Sequence, residues 1–226
     1  MRVIDLFSGI GGFSLGLERA GCRTVQFCEV DPFCRAVIRR HWPHVPIHGD
    51  IKTFHPERGS ADIVCGGFPC QPFSSASRGR RIGKDDDRFL WPEMYRVISE
   101  CEPSWVIGEN VARLDGMALD QVVADLEAIG YEVAPPFEIP ACAVGHDHHR
   151  PRLWICGHAN RDGEPRRTFD GEVEWLSGDR LDTEQPREPY GIPSRMDRLA
   201  ALGNSVVPEI PEIIGRAIMH AEALSD

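Results

Sequence analysis

The sequence lacks most of what would place a chain in a membrane or a secreted scaffold. No apolar run approaches the ~18 residues that span a bilayer. The opening residues, Met1-Arg2-Val3-Ile4-Asp5, carry no apolar segment of the secretory kind. Cys22, Cys28, Cys34, Cys65, Cys70, Cys101, Cys142 and Cys156 lie singly, with no Cys-x-x-Cys pair, which argues against a disulfide framework or a paired zinc module. His146, His148 and His149 with Cys142 and Cys156 come nearest to a metal set, but their spacing is not that of paired ligands, and no metal is expected. Positive charge is also short: 25 Lys and Arg against 35 Asp and Glu leave a formal charge of -10. That excludes a globally basic nucleic-acid binder and leaves room for a local basic patch. Internal repeats and heptads are absent. The expectation is a cytoplasmic protein without membrane contact, with free and mostly buried thiols.

What is present is enough chain for a full core, since 226 residues allow about 70% of the unfolded surface to be buried. Short apolar runs alternate with amphipathic stretches: Val3 to Phe7, Phe13 to Ala20, Thr24 to Cys28, Pro32 to His41. The alternation continues with strands at Ala61 to Cys65 and Trp105 to Gly108, and with helices near Leu90 to Cys101 and Ala118 to Ile129. Extended stretches follow at Tyr131 to Ile139 and Arg152 to Cys156, and Ile210, Ile213, Ile214, Ala217 and Ile218 share one helical face after Pro208. This predicts an α/β fold of Rossmann-like type, with a mostly parallel central sheet and helices on both faces. Between His158 and Arg195 the chain is rich in Arg, Asp, Glu, Gly and Pro, the composition of a small irregular insert. The expected organisation is a body over residues 1–157, an insert over 158–194 and a C-terminal helical segment, 195–226, that returns to the body.

Several motifs carry chemistry. Asp5-Leu6-Phe7-Ser8-Gly9-Ile10-Gly11-Gly12-Phe13 reads as a strand, a glycine turn and a helix start. Such a turn lets backbone approach a ligand and offers free N–H groups. By itself it is equally a tight turn without a ligand. Glu29 closes the next strand, where an acid can take both hydroxyls of a ribose, and Asp50 follows the third apolar stretch; both also suit helix N-caps. In Gly66-Gly67-Phe68-Pro69-Cys70-Gln71-Pro72-Phe73-Ser74, glycines and prolines around one cysteine fix a loop at the carboxyl edge of the sheet. That cysteine is a nucleophile or a packing residue. Trp105-Val106-Ile107-Gly108-Glu109-Asn110-Val111 is a strand ending in a carboxylate, which partial desolvation would keep ready to give a proton to a ring nitrogen. His149-Arg150-Pro151-Arg152 sets two guanidinium groups at the start of a strand, suited to carbonyl and phosphate oxygens.

These segments, in this order, resemble the C5-cytosine-specific DNA methyltransferases. Asp5 to Gly12 is similar to that family's cofactor loop, Gly67-Phe68-Pro69-Cys70-Gln71 to its nucleophile loop and Glu109-Asn110-Val111 to its acid motif. Arg150-Pro151-Arg152 is similar to its paired-arginine motif, and Leu202-Gly203-Asn204-Ser205-Val206-Val207-Pro208 to its C-terminal motif. The resemblance implies an S-adenosylmethionine-dependent methyltransferase fold, S-adenosylmethionine as methyl donor and cytosine in duplex DNA as acceptor. It implies Phe7 against the adenine, Glu29 with Val30 at the ribose, and Asp50 with Ile51 at the adenine amino group. Leu90 and Pro69 would line the pocket, and the backbone of Gly9, Ile10, Gly11 and Gly12 would hold the methionine end with Asn204 and Ser205. Cys70 would add to C6 of a flipped-out cytosine, Glu109 would serve N3, Arg152 the O2 side and Arg150 a phosphate. Phe68, Gln71, Ser74, Arg78, Arg80, Arg81 and Lys84 would meet DNA, the last four as its local positive patch.

Two departures stand out. His148 occupies the position of a usual glutamine, and the insert is far shorter than the family's target-recognition module. Other readings stay open: a tRNA cytosine-5 methyltransferase, a non-catalytic S-adenosylmethionine- or DNA-binding remnant acting with a partner, or a nicotinamide oxidoreductase, which gives Cys70 no role. The resemblance further implies a monomer in a bacterial or phage-infected cell, with a cognate restriction endonuclease or recognition partner.

Overall fold

A computed structural model of the chain describes residues 1–70, 89–112, 114, 116–160 and 201–224. The chain begins with β1 (Arg2–Leu6), α1 (Gly12–Arg19), β2 (Arg23–Cys28), α2 (Pro32–His41) and the short β3 (Ile47–His48). It continues with β4 (Ile63–Gly67), α3 (Trp91–Cys101), β5 (Trp105–Val111), α4 (Gly116–Ala128), β6 (Tyr131–Val133), β7 (Phe137–Pro140) and β8 (Pro151–Ala159). A last helix, here α5, spans Glu209–Ala223.

The strands join one sheet in the order β3-β2-β1-β4-β5-β8-β6, with β7 also on β8. β1 to β5 run parallel, whereas β8 is antiparallel to β5, β6 and β7. The mostly parallel α/β architecture expected from the alternation is therefore the one observed. The stretch read as continuous from Tyr131 to Ile139 is two strands, because Ala134 turns its N–H to the Cys156 carbonyl before the chain leaves for β7. β8 extends beyond Arg152 to Cys156 at both ends, and the Ala159 N–H still bonds the Ser104 carbonyl.

Side-chain alternation divides the core into two layers. Ile4, Leu6, Val64, Val106 and Ile155 face Met94, Val97 and Ile98 of α3 and Val122 and Leu126 of α4. Val3, Ile63, Cys65, Trp105, Ile107 and Trp154 face Phe13 and Leu17 of α1 and Ile210, Ile214 and Ile218 of α5. Burial on both faces is what continuous apolar strands such as Ile63-Val64-Cys65 demand. α1 and α5 lie close because each presents a glycine. A Cβ on Gly16 would collide with the Pro208 carbonyl, and one on Gly215 would stand 2.8 Å from the Ala20 Cβ. The Trp105 indole N–H also donates to Glu222 Oε1 at 2.8 Å, fastening the end of α5 to β5.

This wiring positions the site. The chain steps from β1 outward to β2 and β3, then crosses back to β4 and β5 on the other side of β1. The carboxyl ends of β1 and β4 thus flank the topological switch point, where open α/β sheets form their ligand crevice. Because β8 is antiparallel, its first residues arrive at that same edge, with Arg152 opposite Val111.

Candidate active site

A cleft of about 950 Å³ opens along this edge. One end is lined by Phe7, Gly9, Glu29, Val30, Asp50 and Ile51, the other by Pro69, Cys70, Leu90, Glu109 and Arg152, with Asn204 also in the wall.

The first end begins where β1 stops. Phe7, Gly9 and Gly11 all have left-handed backbones, with φ of 52°, 54° and 91°. Glycine accepts this conformation readily, and a phenylalanine there is held at a cost of order 1 kcal/mol. The turn closes through the Gly11 N–H to the Ser8 carbonyl, 2.8 Å. Gly11 offers α1 no side-chain cap, and in the first turn the Ser14 N–H is taken instead by the Asp5 carboxyl. Beneath the turn lies Asp5, fully buried, whose Oδ2 accepts from the Ser14 hydroxyl at 2.7 Å and the Ser14 N–H at 3.2 Å. Its Oδ1 has no partner, and burial pushes the carboxyl up to a pKa of about 7.

Glu29 grips the turn from β2. One carboxylate oxygen accepts from the Gly9 N–H and the other from the Asp31 N–H, each at 2.7 Å, while burial pushes its pKa above the ordinary value. The N-cap of α2 is Asp31, which accepts from the Cys34 N–H at 2.9 Å. Glu29 is therefore left to the cleft. Asp50 has both roles weighed for it: it caps the 3-10 turn Ile51–Thr53 through the Lys52 N–H and lines the cleft. Gly12 touches the C-terminal motif, where a Cβ would lie 2.6 Å from the Val206 carbonyl and 3.0 Å from Ser205 Oγ. Ser205 thus abuts the glycine turn from behind, and Ile10, Gly11, Gly12 and Ser205 are not among the cleft-lining residues.

The second end is built of side chains. Glu109 of β5 lies opposite Gly67 of β4, and a Cβ at that glycine would stand 2.7 Å from Glu109 Oε2. Glu109 pairs with Arg152, Nε to Oε1 at 2.8 Å. Burial raises its pKa, against the pull of Arg152 and Arg150. Cys70 is nearly buried, bridges to Phe89 and contacts Asn110 Oδ1 at 2.6 Å. Burial also pushes the Cys70 thiol up.

Two expected positions make contacts within the protein that the sequence did not indicate. Arg150 is not among the cleft-lining residues and donates to the Ser205 carbonyl at 2.8 Å, from a backbone with φ of 30°; it joins the paired-arginine strand to the C-terminal motif while still acting on Glu109 through its charge. Phe68 lines the cleft yet is only 3% exposed, with its ring 5.2 Å from that of Trp91 in the apolar layer over α3. Gln71, Ser74, Arg78, Arg80, Arg81 and Lys84 lie outside the described residues, as does most of the 158–194 insert. Three contributors went unread in the sequence: Asn110 holds Cys70, Asp31 steadies Glu29, and Trp42 backs Gly11, whose Cβ would lie 2.6 Å from its ring. Only Asn110 left a signal, as the middle residue of a motif read for its carboxylate.

The sequence matches the description C-5 cytosine-specific DNA methylase over residues 1–184. The chain belongs to that family. Among relatives of this methylase chain, the Type II methyltransferase M.NgoBI of Neisseria gonorrhoeae is 34% identical, covering 94% of this chain and 68% of that protein. M.PspPI of Psychrobacter sp. (strain TA137) is 33% identical over 98% of this chain and 51% of its own length. M2.BsuMI of Bacillus subtilis is 41% identical over 58% of this chain and 35% of its own. The chain thus spans about half or less of the last two. In fold it is similar to S. pombe Dnmt2 methyltransferase, with a TM-score of 0.58 and 20% identity, covering 73% of this chain and 53% of that one. The seven cysteines other than Cys142 are buried. Among the described residues no group of His, Cys, Asp or Glu is placed to hold a metal ion, and no helix is long and apolar enough to cross a membrane.

Proposed function

We propose that this methylase transfers a methyl group from S-adenosylmethionine to C5 of cytosine in duplex DNA. The observation that carries the reading is one continuous cleft holding both a nucleoside-type grip and a cysteine–carboxylate–guanidinium set. The residues fit the cofactor: Glu29 offers a carboxylate already oriented by two N–H donors, Asp50 and Phe7 line the same end, and the left-handed turn brings backbone to the ligand. When bound, S-adenosylmethionine supplies an electrophilic methyl on a sulfonium centre.

The chain's own groups prepare the acceptor. Cytosine C5 is a weak nucleophile, so the Cys70 sulfur adds to C6 and leaves C5 as an enamine carbon. Glu109, whose pKa burial pushes above the ordinary carboxylate value, gives a proton to N3 as the ring gains electron density. Arg152 orients that carboxylate and offers its remaining N–H donors to the O2 side. Loss of the C5 proton restores the double bond and releases Cys70. A stacked cytosine cannot reach a cleft of this kind, so the base must be rotated out of the duplex, as methyltransferases do.

The proposal extends to a monomer acting in the cytoplasm beside a cognate restriction endonuclease, with residues 1–157 and 195–226 forming the catalytic body and 158–194 a reduced recognition insert. The test is incubation with tritiated S-adenosylmethionine and unmodified duplex DNA, tRNA or no nucleic acid, followed by bisulfite sequencing of the DNA. Label should enter duplex DNA as 5-methylcytosine, and Cys70→Ala should abolish transfer while retaining cofactor binding. Label entering tRNA alone would give the site to RNA, and transfer by Cys70→Ala would remove the covalent step.

A further inference from the structure

We infer that Asn110 is a positioning residue for Cys70, and that its amide oxygen holds this nucleophile as a neutral thiol in the ligand-free protein. The inference rests on the reading of Cys70 as the nucleophile and adds what controls its proton.

The argument starts from which way the Asn110 amide faces. Its Nδ2 donates to the Phe68 carbonyl at 3.0 Å, and its Oδ1 accepts from the Val111 N–H at 2.9 Å. Asn110 is 4% exposed, so water is not at hand to replace either backbone partner. Turning the amide over would set oxygen against the Phe68 carbonyl and NH2 against the Val111 N–H, losing two bonds to gain one. The group presented to Cys70 Sγ is therefore the oxygen. An amide oxygen only accepts, so the sulfur has to donate, and a thiolate would face lone pairs. The opposite orientation would donate to sulfur and pull the thiol's pKa down; the backbone forbids it.

The charged surroundings agree. Glu109, the neighbour of Asn110 on β5, disfavours a negative charge on Cys70 in its ionised form, the form that pairs with Arg152 before a base enters. Arg152 of β8 is committed to Glu109 at 2.8 Å, and Arg150 to the Ser205 carbonyl. Phe89 and Leu90, on the other side of Cys70, are apolar. Among the described residues farther along the cleft, Glu29, Asp31 and Asp50 stand with Lys52, three acids to one base.

The arrangement has a chemical use. A thiolate in the same cleft as a methyl sulfonium is open to alkylation on sulfur, which would end catalysis. A thiol bound to an amide oxygen is a far poorer nucleophile. Entry of the base displaces Sγ from Oδ1 toward C6, and the thiol proton passes to water as the S–C6 bond forms, so sulfur is deprotonated only when its carbon partner is in place.

The experiment uses the full chain without cofactor or nucleic acid, so its outcome is independent of whether DNA is the substrate. Iodoacetamide alkylation is followed from pH 6 to 10 by peptide mass spectrometry, with the exposed Cys142 as internal reference. In wild type the rate at Cys70 should reach its midpoint at higher pH than the rate at Cys142. Asn110→Ser, which removes the oxygen and offers a hydroxyl donor, should lower the Cys70 midpoint by about one unit, or about tenfold in rate at a fixed pH below it. Asn110→Asp should raise it, with Cys142 unmoved. A wild-type Cys70 midpoint at or below that of Cys142 overturns the inference whatever the variants do, as do shifts of the same sign in both variants.

Discussion

The two ends of the cleft are built from different materials. At the β1–β2 end, recognition is carried by main chain: three left-handed residues, a helix start whose N-cap residue is a glycine and a carboxylate held by two N–H groups. At the β4–β5–β8 end it is carried by side chains, Cys70 on Asn110 and Glu109 on Arg152. Backbone geometry is set by packing around it, so the first end tolerates changes in charge better than changes in volume. The second end relies on proton positions and ion pairing, which a small displacement upsets. Each end nevertheless has a glycine with no room for a methyl group, Gly12 at the first and Gly67 at the second, and these two separate the logics.

The largest effect is expected at the end that holds Cys70 and Glu109. Gly67→Ala places a methyl group 2.7 Å from Glu109 Oε2, and the buried carboxylate can move only by leaving Arg152. Turnover should fall on the order of 10²-fold, the worth of a positioned acid, while calorimetric affinity for S-adenosylmethionine stays within about twofold. An equal loss of affinity would mean that the ends are not separable. Gly12→Ala should do the reverse. Its methyl meets the Val206 carbonyl at 2.6 Å, which is main chain and yields little, so cofactor affinity should drop by about tenfold or more and stability by about 1–3 kcal/mol.

Asp5 offers a pH test of the backbone-built end. Its folded pKa of about 7 exceeds the ordinary carboxyl value near 4, so the folded state holds a proton that the unfolded chain releases. The stability this group contributes is complete below about pH 4 and is lost as pH rises toward 7. Asp5→Asn, which cannot ionise, should therefore gain on wild type between pH 5 and pH 8 in urea unfolding. A difference that is flat over that range, or that grows in favour of wild type, would show that the carboxyl is ionised in the fold. The smallest effect is expected for Arg150→Met. Losing the bond to the Ser205 carbonyl should cost ~1 kcal/mol and weaken S-adenosylmethionine binding a few-fold. Unchanged cofactor affinity with weaker DNA binding would return Arg150 to the phosphate role that its motif implies.

Much of this was readable from residue order. Apolar runs such as Ile63-Val64-Cys65 forced buried parallel strands, and α2 falls on Pro32–His41, where its amphipathic pattern lies. The glycine turn, Glu29, Cys70, Glu109 and Arg152 converge because each follows or opens a strand at one edge. What stayed hidden depends on distance in sequence. The Arg150 guanidinium finds a carbonyl 55 residues away, and no spacing rule anticipates that. Asn110 matters through the direction of one amide, fixed by Phe68 and Val111, and composition says nothing about direction. Glu29 and Asp31 are two residues apart, and only the turn of the backbone decided which would cap α2 and which would face the cleft.

The central claim is that Cys70 attacks a cytosine held in the cleft that also takes the methyl donor. A duplex containing 5-fluorocytosine tests it, since fluorine at C5 cannot leave as a proton would and the sulfur–C6 bond is trapped. With S-adenosylmethionine present, wild type should form a denaturation-resistant adduct mapping to Cys70, and Cys70→Ala should form none. Absence of an adduct on a duplex that the enzyme methylates when unfluorinated, or an adduct on another cysteine, would contradict the account.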